Sequence, residues 1–71
     1  MKGVEVQTQD LRPGDMVLSI DNRSCVDLVI SVVRLVDHLE DRYEIWFMRK
    51  DRSLLKDTCS AQNVYYNVWR P

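Results

Sequence analysis

The chain is poor in the residues on which most site chemistry depends. Its 71 residues include one histidine, two cysteines and two glycines. Cys25 and Cys59 are far apart and form no CxxC pair, so a structural zinc site lacks ligands. Pro13-Gly14-Asp15 is not accompanied by the paired glycines and the lysine of a P-loop. We therefore expect no metal, no cofactor and no enzymatic activity.

The chain also lacks a long apolar run and an excess of one charge. No stretch of about 18 apolar residues is present, so we expect no membrane partner. Residues 1–10 contain no apolar segment typical of a secretory signal. We expect a cytoplasmic protein with reduced thiols rather than a Cys25–Cys59 disulfide. Ten Lys+Arg against eleven Asp+Glu do not indicate a general nucleic-acid binder, which usually has a strong basic excess. This balance is compatible with a local basic patch.

What is present indicates a small folded domain. Hydrophobic residues make up 45% of the chain and charged residues 30%, as in ordinary globular proteins. Residues 1–71 are expected to form a single domain. A chain this short buries only about 60% of its unfolded surface, so its core is small. Self-association would add buried area, and we therefore expect a homo-oligomer.

The clearest local signal is a turn followed by a strand. Pro13 fixes its own φ, and Gly14 can take the positive φ that a type II turn requires after proline. After this turn, Met16, Leu18 and Ile20 alternate with the residues between them. That alternation is the period of a strand with one face on a core.

Other segments show the same alternation, separated by residues that favour turns. The strands are predicted at residues 4–7, 15–20, 42–48, 53–58 and 64–69, with turns or loops at 21–24, 37–41, 49–52 and 60–63. Short strands at intervals of about ten residues are typical of a small antiparallel barrel.

Residues 25–39 fit two structures. As a helix, they would place Asp27, Ser31 and Arg34 on one polar stripe. As a strand, they carry many β-branched side chains, but alternation fails and requires a bulge near Val32–Val33. We favour the strand because the neighbouring segments are also predicted as strands. An α+β fold with a helix at about 25–39 is the alternative.

The stretch Asp10-Leu11-Arg12-Pro13-Gly14-Asp15-Met16-Val17-Leu18 resembles the opening, written dLxPGDxVl, of small SH3-like β-barrels. Similar openings occur in KOW-type ribosomal and transcription modules and in short phage and bacterial accessory proteins. The resemblance covers nine residues and implies an all-β, SH3-like antiparallel barrel of five to six strands, without implying an activity. Intein/hedgehog-like domains share the opening but need a nucleophilic Cys or Ser at residue 1, where this chain has Met1.

Alternation in two predicted strands, residues 42–48 and 64–69, predicts which large side chains point away from the core. The expected inward residues are Tyr43, Ile45, Phe47, Val64, Tyr66 and Val68, and the expected outward ones are Trp46, Met48, Tyr65 and Trp69. Exposed aromatic and methionine side chains are typical of interfaces. We therefore predict a non-enzymatic binding module that contacts a protein partner or a second copy through these four residues. By analogy, it is similar to phage or bacterial accessory and inhibitor proteins.

Two other functions stay open. The basic residues of the 49–56 hairpin could contact nucleic acid, with an aromatic ring stacking on a base; they are Arg49, Lys50, Arg52 and Lys56. Alternatively, an oligomer could hold a small ligand between protomers, lined by the same aromatic residues.

One loop gathers the histidine and several carboxylates. His38 is the only histidine, the residue type whose unperturbed pKa is near neutrality, and its sequence neighbours include Asp37, Glu40 and Asp41. A Cys–His catalytic pair and a weak cation site are both conceivable here. We interpret the group instead as a solvated loop.

Overall fold

The fold is a single sheet of six antiparallel strands. The computed structural model of the protein describes residues 3–19, 25–36 and 41–70. The strands are β1 (Val4–Gln7), β2 (Met16–Leu18), β3 (Val26–Leu35), β4 (Arg42–Met48), β5 (Leu54–Ser60) and β6 (Val64–Trp69). Their order in the sheet is β1-β6-β2-β3-β4-β5, and one 3₁₀ turn, Thr8–Asp10, follows β1.

The all-β prediction is confirmed, and the helix alternative for residues 25–39 is wrong. β3 is a ten-residue strand that pairs with β2 and β4. The bulge that its sequence requires is present, but it lies between Val29 and Ser31 rather than near Val32–Val33. Because of this bulge, Val29 and Val32 both face the core although they are three residues apart.

The sheet wraps around a core of small volume. Its buried apolar residues are Val6, Leu11, Val17, Val29, Ile45, Phe47 and Val68. Every strand except β5 contributes to this list, and β5 packs Leu55 and Cys59 against it. Within the described residues, the edge strands β1 and β5 do not pair with each other, so the barrel-like sheet is not closed.

The turn before β2 has the predicted geometry. Gly14 has a φ of +100°, and the N–H of Asp15 donates to the carbonyl of Arg12 at 3.1 Å. The Asp15 side chain is buried, and its Oδ2 accepts the N–H of Arg12 at 2.9 Å. Arg70, at the end of β6, lies 3.3 Å from Asp15 Oδ1. The turn is therefore fixed to both its own backbone and the C-terminal strand.

A bulge in β6 reverses part of the predicted alternation. Val4 lies opposite Val68 but Val6 lies opposite Tyr65, so β6 has one more residue than β1 in this interval. As a result Val68 and Tyr65 both face the core, and Tyr66 is 66% exposed. The predictions that Tyr65 points outward and Tyr66 inward are therefore wrong.

Candidate binding surfaces

Five large apolar side chains form a line across the outer face of the sheet. Met16 lies opposite both Trp69 and Leu28, Leu28 lies opposite Met48, and Met48 lies opposite Leu54. Directly paired residues of antiparallel strands point to the same face. The line, here called the outer apolar row, therefore runs over β6, β2, β3, β4 and β5.

The outer apolar row is only partly covered by its neighbours. Leu54 is 57% exposed and Met16 is 42% exposed, whereas the other three side chains are half-buried. Strands lie about 4.8 Å apart, so the row follows the curved surface for roughly 19 Å. Val26 and Ile30 add further exposed apolar area beside it on β3.

A shallow groove of about 360 Å³ lies along the middle of this row. Apolar side chains and Cys25 form its floor, and two basic residues complete it; the lining residues are Met16, Cys25, Val26, Leu28, Met48, Arg49 and Lys50. The groove therefore combines an apolar surface with positive charge. Met48 was predicted to contact a protein, whereas Arg49 and Lys50 were predicted to contact nucleic acid. All three line the same groove.

Trp46 lies on the outer face but is engaged by its own neighbours. Its indole Nε1 donates to Glu44 Oε1 at 2.7 Å. Lys56 Nζ lies 5.9 Å from the centroid of the Trp46 ring, within cation–π distance. Trp46 and Lys56 thus stabilise each other, and Lys56 is placed on this ring rather than at the tip of the hairpin.

The other basic residues lie at the β4–β5 turn. The Arg49 N–H donates to the Ser53 carbonyl at 2.9 Å, and the Arg52 N–H donates to the Arg49 carbonyl at 2.8 Å. Arg52 has a φ of +69°, the left-handed conformation that usually calls for glycine. Asp51 accepts hydrogen bonds from the N–H and hydroxyl of Ser53, which lower the pKa of Asp51.

Inside the sheet, four polar side chains from three segments form a second cluster, the interior polar cluster: Thr8, Asp57, Cys59 and Tyr65. The Tyr65 hydroxyl donates to Asp57 Oδ2 at 2.8 Å and lies 3.5 Å from Cys59 Sγ. Burial raises the pKa of the Tyr65 phenol well above its ordinary value, and the hydrogen bonds with Cys59 and Asp57 add to the effect. Tyr65 is therefore a neutral hydrogen-bond donor at physiological pH.

The hydrogen bonds of this cluster leave two possible acceptors for the thiol proton of Cys59. Thr8 Oγ1 donates to the carbonyl of Asn63 at 3.0 Å, and the Tyr65 hydroxyl donates to Asp57. Each hydroxyl has only one proton. Since these two protons are already used, only Cys59 can donate in its contacts with Thr8 Oγ1 at 3.3 Å and the Tyr65 hydroxyl at 3.5 Å. Its single thiol proton can bond to only one of the two oxygens at a time.

A cavity of about 310 Å³ opens beside this cluster, where β2 and β6 separate. Only Met16 and Val17 of β2 pair with β6. Continued pairing would place Leu18 opposite Asn67, but both residues line the cavity instead. Asp57 and Tyr65 also line it, together with Val17, Asn63, Val64 and Tyr66. This space is called the seam cavity.

The sequence located part of these surfaces. Trp46, Met48 and Trp69 lie on the predicted outer face, but Tyr65 packs its ring against Phe47, with centroids 6.2 Å apart. The sequence pattern did not predict that Met16, Leu28 and Leu54 belong to this surface. Leu54 and Met16 are the most exposed side chains of the outer apolar row. The row arises only through the register of four strand pairs, which alternation within one strand does not specify.

Some predicted features lie outside the described residues. His38, Asp37, Glu40 and the 21–24 turn are among them. Asp41 is described, and it forms an exposed ion pair with Arg34 at 2.6 Å. Cys25 and Cys59 are not bonded to each other. In residues 3–19, 25–36 and 41–70, no three histidine, cysteine or acidic side chains are grouped as a metal site.

The same ranges contain no helix that is long and apolar enough to cross a membrane. Comparisons of the chain with protein-family models, with curated proteins and with solved structures gave no match.

Proposed function

We propose that the protein is a non-enzymatic binding module whose outer apolar row contacts another protein or a second copy of itself. The observation that carries this proposal is the line of directly paired apolar side chains from Trp69 to Leu54. A contiguous apolar patch rimmed by polar residues is typical of protein interaction sites. Methionine and tryptophan, which supply three of the five positions, are enriched at interfaces.

The charges beside the row define the chemistry of a suitable partner. Arg49 and Lys50 line the same groove as Met16, Leu28 and Met48. A partner with apolar side chains and neighbouring carboxylates would bury the apolar area and pair with these cations. Such a module fits an accessory or inhibitory role that occupies a surface of another protein, as in phages and bacteria. We expect it to act in the cytoplasm.

The first experiment measures the molar mass by light scattering over a concentration series. The test variant is Met16→Lys with Leu54→Lys, and the control is Val33→Lys, since Val33 is an exposed outer-face residue of β3 that lies off the row. Self-association that is lost in the double variant and kept in the control supports the proposal. Self-association that persists in the double variant contradicts the assignment of this surface.

If the wild type is monomeric, the proposal is tested by the binding of a different protein. A protein captured by the wild type would then have to bind Val33→Lys equally and the double variant at least about tenfold more weakly. A captured protein that binds all three chains equally would exclude the outer apolar row as the interface.

Nucleic-acid binding is a second candidate, favoured by the position of Arg49 and Lys50 on one rim of the groove. Reversing both charges to glutamate would then abolish binding to single-stranded DNA, and binding to the wild type would weaken with salt. Under the protein-binding proposal, the same variant retains apolar contacts and loses mainly association rate.

A further inference from the structure

The seam cavity has a chemical character that the outer apolar row does not share. Among the described residues that line it, only Asp57 has an acidic or basic side chain. The remaining walls are apolar side chains, two tyrosine rings and the amides of Asn63 and Asn67. A volume of about 310 Å³ is at the lower end of the range for small-molecule sites. The cavity therefore fits a small group rather than a macromolecular surface.

The Asp57 carboxylate is only partly satisfied by the fold. Tyr65 donates to Oδ2 at 2.8 Å, whereas an ionised carboxylate can accept about four hydrogen bonds. Within residues 3–19, 25–36 and 41–70, no ion pair with Asp57 is formed. The neighbouring Lys56 side chain lies on the opposite face of β5, over Trp46. In the described part of its walls, the cavity thus presents a carboxylate without a basic side chain beside it.

The other walls suit a positive charge with several N–H donors. Tyr66 is largely exposed, and together with Tyr65 it offers an aromatic surface to a cation. The carbonyl oxygens of the Asn63 and Asn67 side chains can accept hydrogen bonds. Leu18 and Val64 can pack against an aliphatic stem. A carboxylate, aromatic rings and amide carbonyls around one small cavity are complementary to a guanidinium or ammonium group.

We propose that the seam cavity binds an organic cation, a guanidinium or a primary ammonium group on an aliphatic stem, with Asp57 as its counter-ion. The cation can belong to a free small molecule or to an arginine or lysine side chain of another polypeptide. The shared chemistry is a flat or compact cation whose N–H groups face Asp57, while its stem contacts Leu18 and Val64. This site is separate from the outer apolar row and does not depend on the proposed function.

The test is an NMR titration of the ¹⁵N-labelled protein with two probes. Agmatine, which carries a guanidinium and a primary ammonium group on one aliphatic stem, represents a free organic cation, and a capped Gly-Gly-Arg-Gly-Gly peptide represents an arginine side chain. Shifts of the backbone amides of residues 17–18 and 63–67 are expected. A free ligand predicts that agmatine binds at least as tightly as the peptide, whereas a partner side chain predicts tighter binding of the peptide. Absence of binding by both probes overturns the proposal.

Variants assign the binding to the cavity. Asp57→Asn keeps an acceptor for the Tyr65 hydroxyl but removes the charge, and it should weaken binding by about tenfold or more. Tyr66→Ala changes an exposed side chain, so it should fold normally and bind several-fold more weakly. Glu5→Gln, an exposed residue of β1, is the matched control and should bind like the wild type. Equal binding by Asp57→Asn and wild type overturns the proposal.

The Met16→Lys and Leu54→Lys double variant separates this result from the outer surface. It alters residues that do not line the seam cavity, so it should bind the probes normally. Loss of probe binding in this variant would place the cation on the outer face and contradict the seam-cavity assignment.

Discussion

The hydroxyl of Tyr65 on β6 donates a 2.8 Å hydrogen bond to Asp57 on β5, although these two strands are not neighbours in the sheet. Thr8, which follows β1, contacts Cys59 on β5 at 3.3 Å, and β1 and β5 are also not neighbours. These contacts connect the two ends of the open sheet through side chains rather than through a backbone ladder. The interior polar cluster therefore closes the barrel-like structure where strand pairing does not.

Removing the Tyr65 hydroxyl should destabilise the fold. Tyr65→Phe keeps the ring contact with Phe47 but leaves the half-buried Asp57 carboxylate without its donor. We expect a loss of about 1–3 kcal/mol in the free energy of unfolding, measured by urea denaturation. Tyr66→Phe is the control and should change stability by about 0.5 kcal/mol or less, since Tyr66 is exposed. Equal effects of the two substitutions would contradict this role.

The same residue predicts sensitivity to alkaline pH. Burial raises the pKa of Tyr65 above its ordinary value of 10.0 in the folded state. Above pH 10 the unfolded chain therefore ionises this phenol while the folded protein keeps it protonated, so stability falls as pH rises. Between pH 9 and 11, the urea midpoint of Tyr65→Phe should fall less than that of the wild type. Parallel pH profiles would show that Tyr65 titrates equally in both states.

Asp15 should contribute more to stability than its position in a surface turn indicates. Its buried carboxylate accepts the Arg12 N–H and pairs with Arg70, which also donates to the Asp10 carbonyl at 2.7 Å. Asp15→Ala would leave that N–H and the guanidinium without this acceptor, at a cost of about 2 kcal/mol. Asp10→Ala should cost about 0.5 kcal/mol or less because the Asp10 side chain is exposed. Thermal denaturation of the two variants compares these effects, and a similar loss in both would contradict the role of Asp15.

How far the sequence predicted this molecule depends on the range of the contacts involved. The Pro13-Gly14 turn and the inward phase of Ile45 and Phe47 follow from local geometry, and the structure confirms both. The phase of Tyr65 was wrong because a one-residue bulge in β6, opposite β1, reverses the alternation. Gly3 lies opposite this bulge, where an added Cβ would come within 2.8 Å of Asn67 Cα.

The candidate sites likewise depend on how the strands pair, which the sequence alone did not predict. The outer apolar row requires the register of four strand pairs, and the seam cavity requires the separation of β2 from β6. Neither is a property of one segment of the chain. Asp57 carried no distinguishing signal in the sequence, because it alternates like any exposed strand residue until the fold places Tyr65 against it.

Arg52 should be a site where a single substitution increases stability. Its φ of +69° is a left-handed conformation that disfavours side chains with a Cβ. Two hydrogen bonds hold it there, from the Arg49 N–H to the Ser53 carbonyl and from the Arg52 N–H to the Arg49 carbonyl. Glycine adopts this conformation without that cost but is more flexible in the unfolded chain. The balance predicts that Arg52→Gly raises the free energy of unfolding by about 0.5–1 kcal/mol in urea denaturation.

Lys50→Gly is the matched control in the same turn. Among the described non-glycine residues only Arg52 has a positive φ, so glycine at position 50 brings only added flexibility and should lower stability by about 0.5–1 kcal/mol. Similar losses in both variants would contradict the strain at Arg52.

The pair also tests the nucleic-acid alternative, because each variant removes one cation from the hairpin. If that hairpin contacts phosphates, both variants should reduce the salt dependence of DNA binding by about one ion, irrespective of their opposite effects on stability.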